Sequence, residues 1–479
     1  MSINLRIQGL LLAVIFFEGF IVLAAELLAI RLMLPFVGSG TEVVSIIISA
    51  VLMPLAIGYH RGGHAYAAQR RKAQARGKKP LSNREMLSRN ALQALIVLCF
   101  GLSYPVLEVF FTLLSSVGIT NRLVTTSLYA ALFLVGPVYM LAQTIPLISR
   151  YFRHIRLHHI TGKMLFFSTI GSFLGSIVTT LLVMPFLGAH YAAMMICAAL
   201  GLLVVLPLRR RLDFSMIMAL FFVGLAWQFN APGTLLASHV VSNNGYNMAA
   251  VRDNPAGTAR HLILNNSASS AIGLDGEDRR HSYIRRIEEL FIPTAPDATP
   301  MRILVLGAGG FTLGRDDRHN DYTYVDIDPA LKDVSEHNFL QKPLADNQHF
   351  IAQSARAFLN EDRQDYDLIV IDTYSHVVSI PTETITVEFL QKARDRLKAR
   401  GIIVANVIST AFAEDAFTQH YMNGFAAVFP NYWRQLVDTK RFRPNSEQLD
   451  NFLFIARNTK KDRDTEQYHD LRNRYLYDR

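Results

Sequence analysis

The sequence predicts an α-helical membrane domain followed by an α/β domain whose sheet is mostly parallel. Three observations predict this fold class. The chain has 479 residues, of which 51% are hydrophobic, and this is too apolar for an ordinary soluble enzyme of its length. Apolar stretches of membrane-spanning length are confined to residues 1–230. Beyond them, short strand-like runs alternate with helix-like segments, and a glycine-rich turn joins two of the strands.

Three parts are expected along the chain. Residues 1–230 form a transmembrane domain of seven helices, residues 231–295 a small antiparallel β subdomain with a linking helix, and residues 296–479 the larger α/β domain. A bilayer-crossing helix needs about 20 residues. The predicted spans cover residues 9–36, 43–58, 91–114, 124–148, 164–187, 191–208 and 214–229.

Most Lys and Arg residues of the first half lie in alternate loops, which follow the second, fourth and sixth predicted spans. The opposite loops hold almost none, with Arg122 as the exception. Because basic loops stay in the cytoplasm, the N-terminus is expected there too. An odd number of spans then puts residues 231–479 in the periplasm of a bacterium, with the chain as a multi-pass protein of the inner membrane. If the short span at 214–229 lies only in the membrane interface, the C-terminal domain is instead cytoplasmic.

Charge separates the two halves of the chain. Residues 1–230 carry 19 Lys and Arg against six Asp and Glu, whereas residues 231–479 carry 29 against 33. The net charge of +9 therefore belongs to the membrane domain, and a nucleic-acid partner of the second half has no electrostatic support. Cys99 and Cys197 lie in separate apolar stretches, so neither a disulfide framework nor a metal site is expected.

Three charged residues lie in or near the first predicted span. They are Glu18, Glu26 and, near its end, Arg31. Charge at membrane depth is costly, so it marks either a path for a cation or a polar contact that fixes helix packing. We favour the packing contact because the sequence shows no row of polar residues that would line a path.

The second half of the chain is predicted to consist of strands and helices separated by turns. Three strand-like runs at 239–242, 247–252 and 260–265 precede a predicted helix at 282–291. Later strands are predicted at 303–306, 322–327, 349–352, 366–372, 401–407 and 451–456. Predicted helices start at 329, 354, 386 and 412, and this alternation is typical of a parallel sheet with helices on both faces.

The stretch from 301 to 328 carries the candidate ligand site. An apolar strand is followed at once by Gly307, Gly309 and Gly310, and glycine lets a ligand approach the backbone closely. Asp326 and Asp328 end the next strand, where an acid commonly binds a ribose hydroxyl pair. The pattern favours a nucleoside cradle over an ordinary glycine-rich βα turn.

Several motifs resemble the spermidine synthase (polyamine aminopropyltransferase) family. They are LVLGAGG, VDIDP, ARAFL, YDLIVIDTY and IPTETITVEFL, in that order along the chain. The order and spacing resemble most closely the membrane-fused branch of this family, in which a polytopic segment precedes the synthase-like domain. The resemblance implies a Rossmann-like, methyltransferase-like domain at 296–479 behind a small β-domain.

The resemblance also implies a reaction and a set of site residues. The reaction moves the aminopropyl group of decarboxylated S-adenosylmethionine, a co-substrate rather than a permanently bound cofactor, onto putrescine or another polyamine. Methylthioadenosine is the product. The implied nucleoside-binding positions are Gly307, Gly309, Gly310, Asp326, Asp328, Ser354 and Ala355. The implied catalytic positions are Tyr283, Asp372, Ser375 and His376.

Several family positions are altered in this chain. The family has an aspartate where Gly310 stands, and its adenine-side acid falls on Ser354. The family motif that ends in the catalytic base becomes Asp372-Thr373-Tyr374-Ser375, so the base position is serine. Serine is not a base at neutral pH without a partner, and His376 or Asp372 would have to replace it. For His376, an ordinary surface-loop histidine is an equal alternative.

Three functions follow as hypotheses. The first is a membrane-anchored aminopropyltransferase of polyamine biosynthesis, which ranks first because Gly307, Gly309, Asp326 and Asp372 are all present. A periplasmic domain would argue against it, because its co-substrate is made in the cytoplasm. The second is a binding domain that has lost turnover and senses or holds a nucleoside or polyamine. The third is a transport-associated protein. The expected partners are these small molecules, the lipid bilayer and, as a further candidate, a second copy of the chain.

Overall fold

A computed structural model describes residues 5–38, 40–77, 79–152, 157–207, 214–293, 297–374, 380–438 and 449–458. The chain divides into two compact units, Met1–Gly245 and Tyr246–Arg479. The N-terminal unit is helical up to a short strand at its end, and the C-terminal unit contains the sheets that build the candidate site.

The N-terminal unit consists of apolar helices. They are α1 (Leu5–Val37), α2 (Thr41–Ala75), α3 (Asn83–Gly101), α4 (Tyr104–Ser116), α5 (Arg122–Ala130), α6 (Gly136–Ala142), α7 (Thr144–Ser149), α8 (Leu157–Ile177), α9 (Met184–Phe186), α10 (Ala189–Val205), α11 (Phe214–Asn230) and α12 (Pro232–Ala237). Strand β1 (Val240–Asn243) follows. Short π-helical segments, Ala131–Val135 and Val178–Val183, join α5 to α6 and α8 to α9.

Within the described residues, four helices are long and apolar enough to cross a bilayer. They are Ile7–Val37, Thr41–His64, Arg122–Phe152 and Ile160–Phe186. Helices α10 and α11 have 17 residues each. Each is therefore about 26 Å long, slightly less than the roughly 30 Å hydrocarbon core of a bilayer. Each of the seven predicted stretches overlaps an apolar helical segment.

The third predicted span is not one continuous helix. Helices α3 and α4 meet at an angle of 69°. Pro105, in the first turn of α4, has no N–H group and cannot continue the hydrogen-bond ladder of α3. Ser103 fills the break, because its hydroxyl donates to the Cys99 carbonyl at 2.6 Å and accepts from the Asn230 amide at 2.8 Å. The span predicted at 91–114 therefore consists of two helices that meet at a bend.

Small residues let α1 and α8 approach closely. A Cβ atom at Gly19 would overlap the Ser168 carbonyl, and one at Gly171 or Gly175 would overlap carbonyls of α1. Close contacts of this kind are typical of helix pairs in membranes. The Ser168 hydroxyl also lies 3.5 Å from a carboxylate oxygen of Glu18, which is only 1% exposed. This polar contact between the two helices agrees with the packing role favoured from the sequence.

The C-terminal unit contains two sheets. The small antiparallel sheet includes β2 (Met248–Asp253), β3 (Ala259–Leu264) and β4 (Ser267–Gly273), and α13 (Ser282–Phe291) follows it. The larger sheet comprises β5 (Arg302–Leu306), β6 (Asp321–Asp326), β7 (Gln348–Ala352), β8 (Tyr366–Ile371), β9 (Leu397–Thr410), β10 (Trp433–Leu436) and β11 (Leu449–Arg457). Helices α14 (Leu331–Val334), α15 (Ala355–Glu361), α16 (Val387–Asp395) and α17 (Ala416–Val428) connect its strands.

The larger sheet has the strand order β10-β11-β9-β8-β5-β6-β7. Its first five strands in sequence are parallel, whereas β11 pairs antiparallel with both β9 and β10. The predicted α/β fold is confirmed, but the sheet is mixed. Strands β4 and β10 are not predicted by the sequence pattern. From β5 the chain first adds β6 and β7 on one side of the sheet and then β8 and β9 on the other side. The carboxyl ends of β5, β6 and β8 therefore border one crevice, which is the usual ligand site of such sheets.

Buried apolar side chains hold this sheet in position. Phe389, Phe417 and Phe425 lie on α16 and α17 and pack with Ile369 and Ile403 of the central strands. These five side chains are at most 2% exposed. Full burial of each contributes roughly 1.5–3 kcal/mol. The carboxyl edge of the sheet therefore rests on a rigid core, which fixes the side chains of the candidate site.

Candidate functional site

The glycine turn after β5 begins the site. Gly307 has a φ of 95°, and a Cβ atom there would overlap the carbonyl oxygen of Asp372. Only glycine fits such a position without strain. The Gly307 N–H donates to the Val325 carbonyl at 2.9 Å, and the Asp372 N–H donates to the Leu306 carbonyl at 2.8 Å. These bonds join the ends of β5, β6 and β8 at one point.

Asp326 lies at the end of β6, facing this turn. One of its carboxylate oxygens accepts the N–H of Ala308, and the other accepts the N–H of Asp328, both at 3.1 Å. Burial raises the pKa of Asp326 to about 6, although these backbone hydrogen bonds oppose the rise. The carboxylate is thus ionised at neutral pH and held in one orientation, as a ribose-binding acid needs to be.

Asp372 follows β8 and is held from two sides. The Tyr283 hydroxyl donates to one carboxylate oxygen at 2.6 Å, and the Asn406 amide donates to the other at 3.0 Å. Burial raises the pKa of Asp372 above its usual value, and the two hydrogen bonds oppose that rise. A partly desolvated carboxylate in a fixed orientation can position an amine and attract its proton.

A cavity of about 120 Å³ lies between the glycine turn and these carboxylates. Three acidic residues border it, Asp326, Asp372 and Glu383. None of the lining residues that the structure describes is Lys, Arg or His. Unbalanced negative charge in a partly enclosed site attracts cations strongly. The full lining is Leu264, Ser269, Gly307, Gly309, Val325, Asp326, Ile327, Ser354, Ala355, Asp372, Thr373, Tyr374, Pro381, Glu383 and Thr384.

The structure brings together six of the residues predicted from the sequence. Gly307, Gly309, Asp326, Ser354, Ala355 and Asp372 all line the cavity. Tyr283, 8% exposed, lies behind Asp372 and contacts it directly through its hydroxyl. Ser375 and His376 lie outside the described residues.

Two predicted nucleoside-binding residues lie away from the cavity lining. A Cβ atom at Gly310 would overlap the Phe339 ring, and the Gly310 N–H donates to the Ser270 hydroxyl at 2.9 Å. Asp328 is 2% exposed, and its carboxylate accepts from the Asn247 amide at 3.1 Å and from the Ala330 N–H at 3.0 Å. In this structure both residues shape the turns around the site rather than its surface.

Among the site residues that the sequence did not predict, two add polar groups to the cavity lining and one orients Asp372. Glu383 and Thr384 reach the cavity from the 3-10 turn Thr382–Thr384, and Asn406 orients Asp372 from β9. Glu383 lies in the loop that follows β8 and Asp372, at the carboxyl edge of the sheet. Its place in that loop is the sequence signal that could have identified it as a site residue. Asn406 lies inside an apolar strand, and only the pairing of β8 with β9 brings it to Asp372.

Nucleoside affinity should depend on pH through Asp326. Its raised pKa of about 6 means that it becomes protonated as the pH falls through that value, and a ribose bound there would then lose its acceptor. Below pH 6 we expect methylthioadenosine affinity to fall up to tenfold per unit, with a constant affinity above pH 7. Calorimetric titration between pH 5 and pH 8 measures this change. Asp372→Asn should retain the same midpoint, and a flat profile in the wild type would contradict the assignment.

Comparison with known proteins gives partial matches. No family model matches the chain. A stretch of 139 residues is 29% identical to the polyamine aminopropyltransferase of Vibrio vulnificus, and it covers 27% of this chain and 45% of that relative. The chain thus spans about half the length of this curated relative.

Solved structures also resemble part of the chain. A probable spermidine synthase from Corynebacterium glutamicum aligns with a TM-score of 0.39 and 22% identity, over 45% of this chain and 78% of that one. The spermidine synthase of Thermotoga maritima aligns with a TM-score of 0.35 and 15% identity, over 46% and 73% of the two chains. The resemblance seen in the motifs is confirmed by the curated match: over part of its length, this chain is homologous to the polyamine aminopropyltransferases.

Proposed function

We propose that the C-terminal unit is a spermidine synthase-like aminopropyltransferase. It binds decarboxylated S-adenosylmethionine in the cavity, transfers the aminopropyl group to a diamine or polyamine, and releases methylthioadenosine. One observation carries this proposal. The cavity beside Gly307 is bordered by Asp326, Asp372 and Glu383, and no cationic side chain lies among its described lining residues.

The proposed ligands match this distribution of charge. The donor carries a sulfonium and an ammonium, and the acceptor carries at least two ammonium groups, so carboxylates stabilise both. In our proposal Asp326 accepts hydrogen bonds from the ribose hydroxyls, and Gly307 and Gly309 let the nucleoside lie against the backbone. Glu383 borders the same cavity, and in our proposal its carboxylate attracts an ammonium.

Asp372 is proposed to position the acceptor amine. An amine attacks the carbon beside the sulfonium only when it carries a lone pair, so it must first lose a proton. The hydrogen bonds from Tyr283 and Asn406 fix the Asp372 carboxylate, and its raised pKa makes it a better proton acceptor than an exposed aspartate. Positioning of this kind lowers the entropic cost of the attack.

A binding domain without turnover is the second candidate. Two observations favour it. Ser354, at the position of the family's adenine-side acid, is used as the N-cap of α15, because its hydroxyl accepts the Ala357 N–H at 3.3 Å. The cavity of about 120 Å³ is also smaller than the roughly 300–1,000 Å³ of most ligand pockets. On this alternative the unit would hold a nucleoside or a polyamine as a sensor or as part of a transport process.

A product assay separates the two candidates. Purified full-length protein is mixed with decarboxylated S-adenosylmethionine and putrescine, and methylthioadenosine is measured by chromatography. The transferase proposal expects product in proportion to enzyme, and much less product from Asp372→Asn. Calorimetric binding of methylthioadenosine with no product from any diamine would reject the transferase and favour the binding domain.

We also infer that the N-terminal unit crosses the inner membrane seven times, with the C-terminal unit in the periplasm. This placement argues for the binding domain and against the transferase, because decarboxylated S-adenosylmethionine is made in the cytoplasm. The alternate basic loops of the sequence support this orientation. The apolar helices support only a location in a membrane. Alkaline phosphatase fused after Arg479 should then be active, and a green fluorescent protein fused there should be dark. The same reporters fused after Lys79, in a predicted cytoplasmic loop, provide the control and should behave oppositely. Bright fluorescence from the fusion after Arg479 would show that the C-terminal unit is in the cytoplasm instead.

A further inference from the structure

A second cavity lies behind the glycine turn and borders Asp372. It has a volume of about 20 Å³, and we call it the inner cavity. Gly307, Gly309 and Asp372 line both the inner cavity and the larger cavity in which the ligands are proposed to bind. The function proposed above gives the inner cavity no role, although it adjoins the carboxylate that is proposed to position the acceptor amine.

The size and walls of the inner cavity limit what it can hold. Part of its wall is apolar, with side chains that are at most 5% exposed: Ile284, Val305, Leu313 and Val370. A cavity needs about 10–15 Å³ to hold one water molecule, so this one is large enough for a single water and too small for a nucleoside or a diamine. Water stays in such a cavity only where roughly two to four polar groups bind it.

Two buried hydroxyl groups of the inner cavity have unused hydrogen-bonding capacity. Thr312 is 4% exposed, and within the described residues its hydroxyl makes no hydrogen bond. Ser270 is 3% exposed, and its oxygen accepts the Gly310 N–H at 2.9 Å. No group in the described part of the chain accepts the hydrogen of this Ser270 hydroxyl. Because a buried hydroxyl without a partner is unfavourable, both side chains are expected to have a further polar partner.

Asp372 and Tyr283, which also line the inner cavity, keep unused acceptor positions. A carboxylate has about four lone-pair sites, and Asp372 uses two of them, for the Tyr283 hydroxyl at 2.6 Å and the Asn406 amide at 3.0 Å. The Tyr283 oxygen donates its hydrogen to Asp372 and retains a lone pair. Hydroxyl donors and a carboxylate acceptor therefore border one cavity without bonding directly to each other.

We propose that the inner cavity is a binding site for one water molecule, which bridges Ser270 and Thr312 to the Asp372 carboxylate. The water accepts a hydrogen bond from the Ser270 hydroxyl and donates one to a carboxylate oxygen of Asp372. The Thr312 hydroxyl is its third partner and can donate or accept, because its hydrogen rotates. Hydrogen bonds to a carboxylate are shorter and stronger than those between neutral groups, so Asp372 is the strongest of the three partners.

This water gives Asp372 a third fixed contact. Tyr283 on α13 and Asn406 on β9 hold the carboxylate from two directions, and the water holds it from the side of the glycine turn. Thr312 is thereby a positioning residue, because it acts on the acceptor amine only through the water and Asp372. This role in turnover rests on the transferase function proposed above, whereas the water site itself does not.

The sign of a stability change distinguishes a hydrated inner cavity from a dry one. Thr312→Val removes the hydroxyl but retains the shape of the side chain. If water is bound, this variant loses a hydrogen bond, and we expect the midpoint of thermal unfolding of the full-length protein to fall by about 2–4 °C. If the cavity is dry, the variant loses only an unpaired hydroxyl, so a constant or higher midpoint would overturn the proposal. Thr299→Val, at an exposed threonine before β5, is the matched control and should leave the midpoint unchanged.

A density map of the full-length protein that resolves ordered waters tests the site directly. It should contain one peak in the inner cavity, within about 2.5–3.2 Å of the Thr312 hydroxyl oxygen and of a carboxylate oxygen of Asp372. An inner cavity without a peak, in a map that shows other buried waters, would contradict the proposal.

Turnover tests the positioning role separately. We expect Thr312→Val to lower kcat about tenfold, which corresponds to about one hydrogen bond. Methylthioadenosine affinity should stay within about threefold, because Thr312 does not line the larger cavity. Thr312→Ser retains the hydroxyl and should recover most of the rate, and Thr299→Val should have wild-type kinetics. A wild-type kcat in Thr312→Val would show that the water does not position Asp372. If the wild type itself shows no turnover, the transferase function fails, whereas the unfolding midpoints and the density map still decide whether the water is bound.

Discussion

Asp326→Ala is expected to lower the affinity of the protein for methylthioadenosine by at least about 100-fold. Two hydrogen bonds from the ribose hydroxyls to a carboxylate are worth roughly 1.5–3 kcal/mol each, and the substitution removes both. Asp326 is the acid that the structure aims at the glycine turn from β6, and burial prevents water from replacing it fully. Isothermal titration calorimetry at pH 7.5 measures the loss.

The variant must also be shown to fold. Asp326 accepts the N–H groups of Ala308 and Asp328, so alanine leaves both without that partner and lowers the stability of the unit by roughly 1–3 kcal/mol. Asp326→Asn retains one acceptor oxygen and separates the loss of charge from this effect. Asp333→Ala, at a side chain that is 80% exposed, is the control and should bind normally. Wild-type affinity in a folded Asp326→Ala protein would show that the nucleoside binds elsewhere.

Asp372→Asn should have the largest effect on turnover. We expect kcat to fall about 10²- to 10⁴-fold, because asparagine retains the shape of the side chain but neither attracts the ammonium nor stabilises a nearby proton. The affinity for methylthioadenosine should change by less than about threefold, since the nucleoside contacts are proposed on the Asp326 side of the cavity. Initial rates of methylthioadenosine release, combined with calorimetry, give both quantities.

A weaker substitution beside Asp372 and a matched control test whether the loss of kcat arises from Asp372 and its hydrogen-bond partners. Tyr283→Phe removes one hydrogen bond to Asp372 and should reduce kcat by about tenfold, without a change in fold. Asp365→Asn, at an exposed residue that precedes β8, is the matched control and should have wild-type kinetics. Equal losses of kcat/KM in Asp372→Asn and Asp365→Asn would mean that charge at a distance, rather than contact with the amine, causes the effect.

Local sequence patterns predict those structural features that depend on a single helix, strand or turn. The helix predicted at 282–291 is α13, because Ile284 and Ile287 recur on one face and are buried. The glycine turn was predicted because a strand, three glycines and a second strand ending in an acid are contiguous. The strand Ser267–Gly273 was missed, because SASSAIG contains few of the β-branched and aromatic residues that favour strands.

Features that depend on distant residues could not be predicted. The break between α3 and α4 is marked in the sequence by Pro105, but the amide of Asn230 that bonds to Ser103 there lies more than a hundred residues away. Asn406 appears in the sequence as one polar residue in an apolar strand. It becomes the partner of Asp372 only because β9 lies beside β8. The antiparallel β11 likewise appears in the sequence as one more apolar strand.

By itself, the sequence determined the two-part organisation of this protein, the alternating α/β pattern and the glycine turn that faces Asp326. These are local, since periodicity and backbone freedom depend on neighbouring residues. Only the tertiary structure decided that Gly310 and Asp328 support the turns, that Glu383 makes the cavity more acidic, and that Asn406 orients Asp372. The strand order sets these positions, because it brings residues far apart in the chain to one sheet edge.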